Sequence, residues 1–222
     1  MNAIRSTIFG LAAALAAIGP VCAQAPIDIQ PRPQSGAKAA PAAPDSETAI
    51  ERANAYFNSA DTMVADFTQT GADGRRSQGK LYVQRPGKMR FEYAAPATLE
   101  VVADGTSVAV RDRKLNTQDL YLIGQTPLKF LLKRQIDLSR DTRVQKVASE
   151  GSNVAIYIID KATMGGTSKI KLVFDSGFTL KQWLVTDPQG YDTRVALHNV
   201  ELARKPDSSL FRINQERMLE PN

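Results

Sequence analysis

A Pro-Gly turn, Pro86-Gly87, joins two short segments in which apolar and polar side chains alternate. Residues 80–84 lead into the turn and residues 89–93 follow it. Proline and glycine in sequence favour a tight turn, and alternation with a period of two is typical of a strand with one buried face. The sequence therefore predicts a β-hairpin with a strongly apolar face, which must cover either a core or a ligand.

Similar alternating runs recur along most of the chain. They cover residues 63–70, 78–84, 89–93, 99–102, 107–111, 154–159, 169–174, 180–186 and 193–202. Turn residues separate the runs. One of these turns, Asp104-Gly105, is a strong hairpin signal because two-residue hairpin turns need positive φ, which glycine adopts freely. The pattern predicts an antiparallel sheet of nine or more strands.

Two segments break the alternation and predict helices. The first starts at Asp45 or Ser46, either of which can act as N-cap, and its apolar residues follow helical spacing. These residues are Ala49, Ile50, Ala53, Tyr56 and Phe57. The second, 126–132, opens with Thr126 as a capping residue and Pro127 in the first turn. The fold class is therefore mainly β with a few helices, as a strongly curved antiparallel sheet or partly closed barrel whose concave face the helices cover.

The apolar positions of the strands are expected to face this concave side. They are Phe67, Leu81, Val83, Met89, Phe91, Tyr93, Val101, Leu172, Phe174, Trp183 and Leu197. The helices contribute their own apolar side chains to the cover. These are Ile50, Tyr56, Phe57, Leu128, Phe130 and Leu131. Each residue taken alone is more typical of an ordinary core than of a ligand cavity.

The chain divides into four parts by composition. Residues 1–23 have the basic start, short apolar run and small-residue cleavage site of a secretory signal peptide, and residues 24–44 are a Pro/Ala-rich flexible linker. One folded domain is expected over 45–213, followed by a polar tail, 214–222. The signal peptide predicts export to the periplasm, and its apolar run is shorter than the roughly 18 residues of a membrane span.

The chain offers little for catalysis or metal binding, since it contains one cysteine, Cys22, and one histidine, His198. Zinc sites need several such ligands, and a Ser-His-Asp triad would have to use this histidine, which we expect on the surface of a strand. We therefore expect no catalytic residue, no metal and no cofactor, and a binding protein in place of an enzyme. A periplasmic hydrolase acting on an ester or glycan stays open as an alternative.

Six basic residues lie around two of the predicted turns, in a chain with a formal net charge of +5. They are Arg75, Arg76, Lys80, Arg85, Lys88 and Arg90. Such a cluster is either a solvated sheet edge or a surface for an anionic membrane or an acidic partner. Export and the lack of interleaved aromatic residues argue against nucleic acid.

Several short stretches between residues 49 and 213 occur in a fixed order. They are Phe67-Thr68-Gln69, Gly79-Lys80-Leu81, residues 85–93, Asp104-Gly105, Thr126-Pro127-Leu128, Gln182-Trp183, residues 187–190, Asp207 and Leu210-Phe211. Together they resemble the LolA family of periplasmic lipoprotein carriers. The resemblance implies an unclosed β-barrel with a helical lid over a hydrophobic cavity, formed by the inward residues named above, that binds acyl chains. It also implies a monomer that receives outer-membrane lipoproteins from an inner-membrane lipoprotein-releasing ABC transporter and passes them to an outer-membrane acceptor, where one exists.

The resemblance assigns a role to Arg85, because the family's arginine at this position closes the lid through hydrogen bonds to lid backbone. Met89 departs from the family pattern, in which an aromatic residue often stands, and this leaves the acceptor step open. Two alternatives share the fold: a lipid- or lipoprotein-sensing regulatory domain, and an outer-membrane acceptor lipoprotein. The acceptor needs a lipidated cysteine, and Gly19 and Val21 are poor neighbours for lipidation of Cys22.

Overall fold

The computed structural model of the chain describes residues 45–127, 129–163 and 165–213. The predicted signal peptide, linker and polar tail lie outside the described residues, and so does Leu128. No helix among the described residues is long and apolar enough to span a membrane.

Eleven strands form one antiparallel sheet. They are β1 (Thr62–Thr70), β2 (Arg76–Gln84), β3 (Lys88–Tyr93), β4 (Leu99–Asp104), β5 (Ser107–Asp112), β6 (Thr117–Leu122), β7 (Arg143–Glu150), β8 (Asn153–Thr163), β9 (Gly166–Phe174), β10 (Leu180–Thr186) and β11 (Asp192–Leu202). Their order in the sheet is β6-β5-β4-β3-β2-β1-β11-β10-β9-β8-β7. Because β6 and β7 are the two edges, the sheet is not closed, which confirms the predicted fold class.

The sheet is strongly curved, as contacts between distant strands show. Phe91 on β3 and Trp183 on β10 are four strands apart, a separation of about 19 Å in a flat sheet. Their ring centroids lie 6.4 Å apart. The sheet therefore curls into an open barrel whose inner face holds the core.

The two edge strands are the two that the alternation does not predict. In β6, Leu120 and Leu122 are exposed, so the strand has no buried face to produce a pattern. In β7 the sequence RVQKVASE has only two valines and one alanine among polar residues. Edge strands commonly carry polar and charged residues, which weakens the signal that inner strands give.

Helix α1 (Ser46–Asn58) forms where the sequence predicts it. The Asp45 side chain caps it by accepting a hydrogen bond from the Thr48 backbone N–H at 2.9 Å, which confirms the predicted N-cap. Ala49 and Ala53 are completely buried and face the barrel. The helix is anchored near its middle, because the Arg52 guanidinium lies 4.0 Å from the centre of the Phe178 ring, in the β9–β10 turn.

The segment between β6 and β7, residues 123–142, is here called the connector because it joins the two edges of the sheet. The single helix predicted over 126–132 is wrong in detail, since Thr126 ends a short 3₁₀ turn, Ile123–Gln125, instead of starting a helix. A second 3₁₀ turn, Lys129–Leu132, follows. Helix α2 (Leu138–Asp141), which was not predicted, is capped by Asp137.

Candidate functional site

The predicted inward residues meet inside the barrel. Eight of the eleven predicted inward residues, Leu197 among them, are buried, and the other three are half-buried against the same core: Val83, Met89 and Val101. The lid residues Ile50, Tyr56, Phe57, Phe130 and Leu131 pack against it from the other side. The interior is thus filled by the chain's own side chains, which is what a closed state requires.

Aromatic rings occupy both ends of the interior. The lid-end cluster is Tyr56, Phe57, Phe174 and Phe178. The floor cluster is Phe67, Phe91, Tyr93 and Trp183. Most neighbours within each cluster meet edge to face at centroid distances of 5.0–6.4 Å, a favourable geometry. The rings of each cluster thus fill the interior by packing on one another.

One polar group in the floor cluster is the Tyr93 hydroxyl, which donates a hydrogen bond to Gln69 Oε1 at 2.8 Å. Burial raises the pKa of Tyr93 to about 12, with the Gln69 hydrogen bond acting in the opposite direction. The hydroxyl is therefore neutral at physiological pH, and its polarity is satisfied within the chain.

An open groove of about 960 Å³ lies at the floor end, between the β1–β2 turn and the loop after β3. Its walls are mostly polar side chains and short apolar residues. They include Thr68, Gln69, Ser77, Gln78, Ala94 and Ala97. None of the predicted cavity residues lines it, so it is distinct from the aromatic interior.

Arg85 sits at the β2–β3 turn, residues 85–87, here called the corner. Its side chain is only 4% exposed. One terminal nitrogen, Nη2, donates to the carbonyl oxygens of Phe57 at 2.7 Å and Ala60 at 2.5 Å. The other, Nη1, approaches the Arg134 carbonyl at 3.3 Å. A planar guanidinium can reach several acceptors at once, so this side chain ties the end of α1 and the connector to the barrel.

The charge of Arg85 is only partly compensated. Burial lowers the pKa of Arg85, whereas Asp61, whose Oδ1 lies 3.6 Å from Nη2, raises it. Arginine keeps its proton despite such a shift, so a buried cation is held mainly by backbone carbonyls. Carbonyl oxygens carry only a partial negative charge, so they hold the guanidinium less strongly than carboxylates would.

The corner has a second link to the connector. The Gly87 backbone N–H donates to the Leu132 carbonyl at 2.7 Å. Gly87 has a φ of +79°, and a Cβ there would lie 2.7 Å from Gly105 Cα in the β4–β5 turn. Glycine is needed here both for the positive φ and for the close approach of the two turns. The corner therefore contacts the connector through Gly87, and both α1 and the connector through Arg85.

Two asparagines on α1 complete the site, and sequence reasoning missed both. Asn54 Oδ1 accepts from the Leu138 backbone N–H at 2.9 Å. Asn58 Oδ1 accepts from the Ile136 N–H at 2.9 Å, and Asn58 Nδ2 donates to the Ile136 carbonyl at 2.7 Å. Polar residues on the outer side of an amphipathic helix look like solvent-facing positions. The only available signal was their spacing of four, which places both on one face.

The connector is stiffened by its own charges. Burial opposes ionisation of Asp141, but hydrogen bonds from Lys133, the Asp137 N–H and Arg140 outweigh it, so the pKa of Asp141 lies below its ordinary value. The Lys133 Nζ to Asp141 Oδ1 distance is 2.8 Å. The connector is thus an ordered part of the cover, which together with α1 is here called the lid.

The basic cluster predicted around the turns is largely neutralised within the chain. Lys80 pairs with Asp66 at 2.9 Å, and Arg90 pairs with Glu100 at 2.6 Å. Arg75 pairs with Asp73, and Arg85 is buried. The geometry therefore favours the interpretation of a charged sheet surface over a basic surface for membranes or acidic partners.

Groups suited to other chemistry are sparse in the described part of the chain. His198 lies exposed on β11. Within residues 45–127, 129–163 and 165–213, no three histidine, cysteine or carboxylate side chains come together as a metal site would need. The organised feature of the domain is its apolar interior and the lid over it.

Comparison with known proteins places these features in a context. A family model described as outer membrane lipoprotein carrier protein LolA matches residues 58–214. An outer-membrane lipoprotein carrier protein of Methylobacillus flagellatus is 30% identical, over 71% of this chain and 79% of its own length. Another from Methylococcus capsulatus is 28% identical, over 75% of this chain and 84% of its own. A crystal structure of a LolA superfamily protein from Nitrosomonas europaea aligns with a TM-score of 0.42 and 9% identity, over 75% of this chain and 97% of that one.

Proposed function

The chain belongs to the LolA family of outer-membrane lipoprotein carriers, and from this we propose that it carries lipoproteins through the periplasm with their acyl chains inside the open barrel. The observation that carries the proposal is an aromatic-lined interior closed by a lid whose tie to the barrel is a buried arginine. Cargo would come from an inner-membrane ABC transporter and leave to an outer-membrane acceptor, where one exists. The carrier is proposed to act as a monomer.

Physical chemistry explains why such cargo needs a cover. Each methylene moved out of water contributes about 0.8 kcal/mol, so one long acyl chain exposed to water represents roughly 10 kcal/mol. A lipoprotein cannot leave a membrane unaided at that cost. The floor and lid-end clusters supply apolar surface of the right kind, and Met89 on β3 adds a flexible side chain that adapts to varied acyl chains.

Release of the cargo sets the opposite requirement. A barrel that recovered all of the burial free energy would not hand its cargo on. In the closed state the interior side chains pack on one another, and this packing competes with the acyl chain. Closing of the lid over its own aromatic residues would therefore favour departure of the cargo.

We predict that the purified protein releases newly made, radiolabelled lipoproteins from spheroplasts. The expected product is a soluble complex of one carrier with one lipoprotein, detected by size-exclusion of the supernatant. Heat-denatured protein and an unrelated periplasmic protein are the controls. If lipoproteins stay in the membrane although acyl chains bind the purified protein, the carrier function is wrong and the sensing alternative is favoured.

We predict that the acyl chain comes within contact of Trp183, the single tryptophan of the chain. Its side chain is buried in the floor cluster, so bromine atoms on an acyl chain in the interior would quench its fluorescence. A lipopeptide with brominated acyl chains should quench in a saturable manner, and the same lipopeptide without bromine should not. Binding without quenching would show that acyl chains lie elsewhere, for example in the groove at the floor end.

A further inference from the structure

The lid is built from two pieces that are distant in sequence, α1 and the connector, and side-chain amides join them. Asn58 bonds to both the N–H and the carbonyl of Ile136, as a neighbouring strand would. Asn54, one helical turn earlier, accepts from Leu138 N–H. The connector is therefore attached to α1 at two points, and two points resist rotation as well as separation.

The environment makes these bonds costly to break. Ile136 is 2% exposed and Leu138 is fully buried, so their N–H groups are shielded on the connector side. A buried N–H left without a partner costs about 1–3 kcal/mol. Arg85 binds the carbonyls of Phe57 and Ala60, at the end of α1 and just beyond it, so removal of this one side chain loosens the lid from the corner and leaves the asparagine bonds in place. The boundary that a single substitution can weaken is therefore the one between the lid and the corner.

We propose that Asn54 and Asn58 are positioning residues that make α1 and the connector move as one body when the lid opens. The inference rests on the proposed carrier function for its purpose, but its geometry does not depend on any cargo. Opening separates Leu132 and the end of α1 from the corner. The contact of the Arg52 guanidinium with the Phe178 ring, near the middle of α1, is the pivot of this movement.

The proposal predicts different fates for three backbone amides. The Gly87 N–H bonds across the boundary that opens, whereas the Ile136 and Leu138 N–H groups bond within the lid. Hydrogen exchange measured residue by residue on the ligand-free Arg85→Leu protein should therefore show faster exchange at Gly87 and unchanged exchange at Ile136 and Leu138. Faster exchange at all three amides would overturn the proposal, and so would unchanged exchange at Gly87.

Variants at the asparagines test the attachment itself. Asn54→Leu removes the acceptor for Leu138 N–H, so exchange of this amide should rise about tenfold or more. Asn54→Asp is the matched control, because a carboxylate oxygen still accepts the bond and exchange should stay near that of the unaltered protein. Equal exchange at Leu138 in the leucine and aspartate variants would overturn the attachment.

Folding and cargo binding are checked separately. Exchange at Leu172 on β9 reports whether the barrel is intact, and the Asn54→Leu result counts only if the Leu172 amide stays protected. Should this variant not fold, Asn58→Leu replaces it, because it removes the acceptor for Ile136 N–H, and exchange at Ile136 should rise. Asn58→Asp keeps this acceptor and is the control, and equal exchange at Ile136 in the two variants would overturn the attachment. Failure of lipopeptide binding would contradict the carrier function and leave the exchange results standing.

Discussion

Replacing Arg85 with leucine is expected to strengthen acyl-chain binding and to slow its release. The two short hydrogen bonds from Nη2, to Phe57 and Ala60, hold the closed state and cannot form when the lid is raised. A hydrogen bond to a charged group is worth about 1.5–3 kcal/mol. Loss of both should shift the lid equilibrium toward opening by about 3 kcal/mol, which is roughly a hundredfold. In the proposed carrier, in which acyl chains bind only the open state, their apparent affinity rises by up to the same factor.

The measurement is a titration of Trp183 fluorescence with the brominated lipopeptide, followed by its transfer to acceptor vesicles. Arg85→Lys is the matched control, since an ammonium keeps the charge but cannot reach several carbonyls in one plane. It should lie between the original protein and the leucine variant. If the leucine variant binds and transfers the lipopeptide as the original protein does, Arg85 does not close the lid.

A general loss of stability must be separated from this effect. The leucine side chain replaces an arginine that binds carbonyls of α1 and the connector, so the closed lid loses its donor while the strand pairing of the sheet is unchanged. We expect the barrel to unfold in a single urea transition, with a loss of stability no larger than the roughly 3 kcal/mol that the closed lid loses. A larger loss would assign the effect to folding instead of the lid.

Inner strands of the sheet were predictable because a strand that is buried on one side alternates apolar and polar residues in its sequence. β3, with Met89, Phe91 and Tyr93 pointing inward, is the clearest case. The edge strand β6 was not predicted because its leucines are exposed and it has no buried face. In β7, Val144 and Val147 pack against the core, but a register irregularity between Val144 and Lys146 breaks the alternation. The structure of the connector was only partly predicted, for another reason. Its conformation depends on contacts with α1 and the corner, and no local sequence pattern indicates these contacts.

The candidate site divides in the same way. Most of the aromatic interior follows from alternation and helical spacing, since every ring except that of Phe178, in the β9–β10 turn, lies on the apolar side of a predicted strand or helix. The involvement of Arg85 with lid backbone followed from the family resemblance, because an arginine beside a turn otherwise looks like a surface charge. Asn54 and Asn58 were not predictable, since their partners lie 84 and 78 residues away in sequence. Tertiary hydrogen bonds of this kind depend on the position of the helix in the folded domain.

The largest loss of stability is expected from Gly79→Ala in β2. A Cβ at this position would lie 2.0 Å from the Glu92 carbonyl oxygen and 2.9 Å from Tyr93 Cα. Both atoms belong to the backbone of β3, which cannot rotate away as a side chain can. Gly79 pairs with Phe67 on one side and Tyr93 on the other, and the rings of these two residues meet with centroids 5.1 Å apart. The methyl group would therefore force β2 and β3 apart beneath the floor cluster.

Overpacking of this kind costs about 3 kcal/mol, which corresponds to a fall in melting temperature of roughly 6–12 °C for a domain of this size. Urea and thermal unfolding, monitored by Trp183, measure both quantities. Gly124→Ala is the matched control, because a Cβ at Gly124 would meet no heavy atom within 4 Å, so the change should stay within about 0.5 kcal/mol. Since Tyr93 and Phe91 belong to the floor cluster, the Gly79 variant should also lose quenching by the brominated lipopeptide. Equal stability of the two alanine variants would show that β3 can move away from β2, and that the close approach at Gly79 is not needed for the shape of the interior.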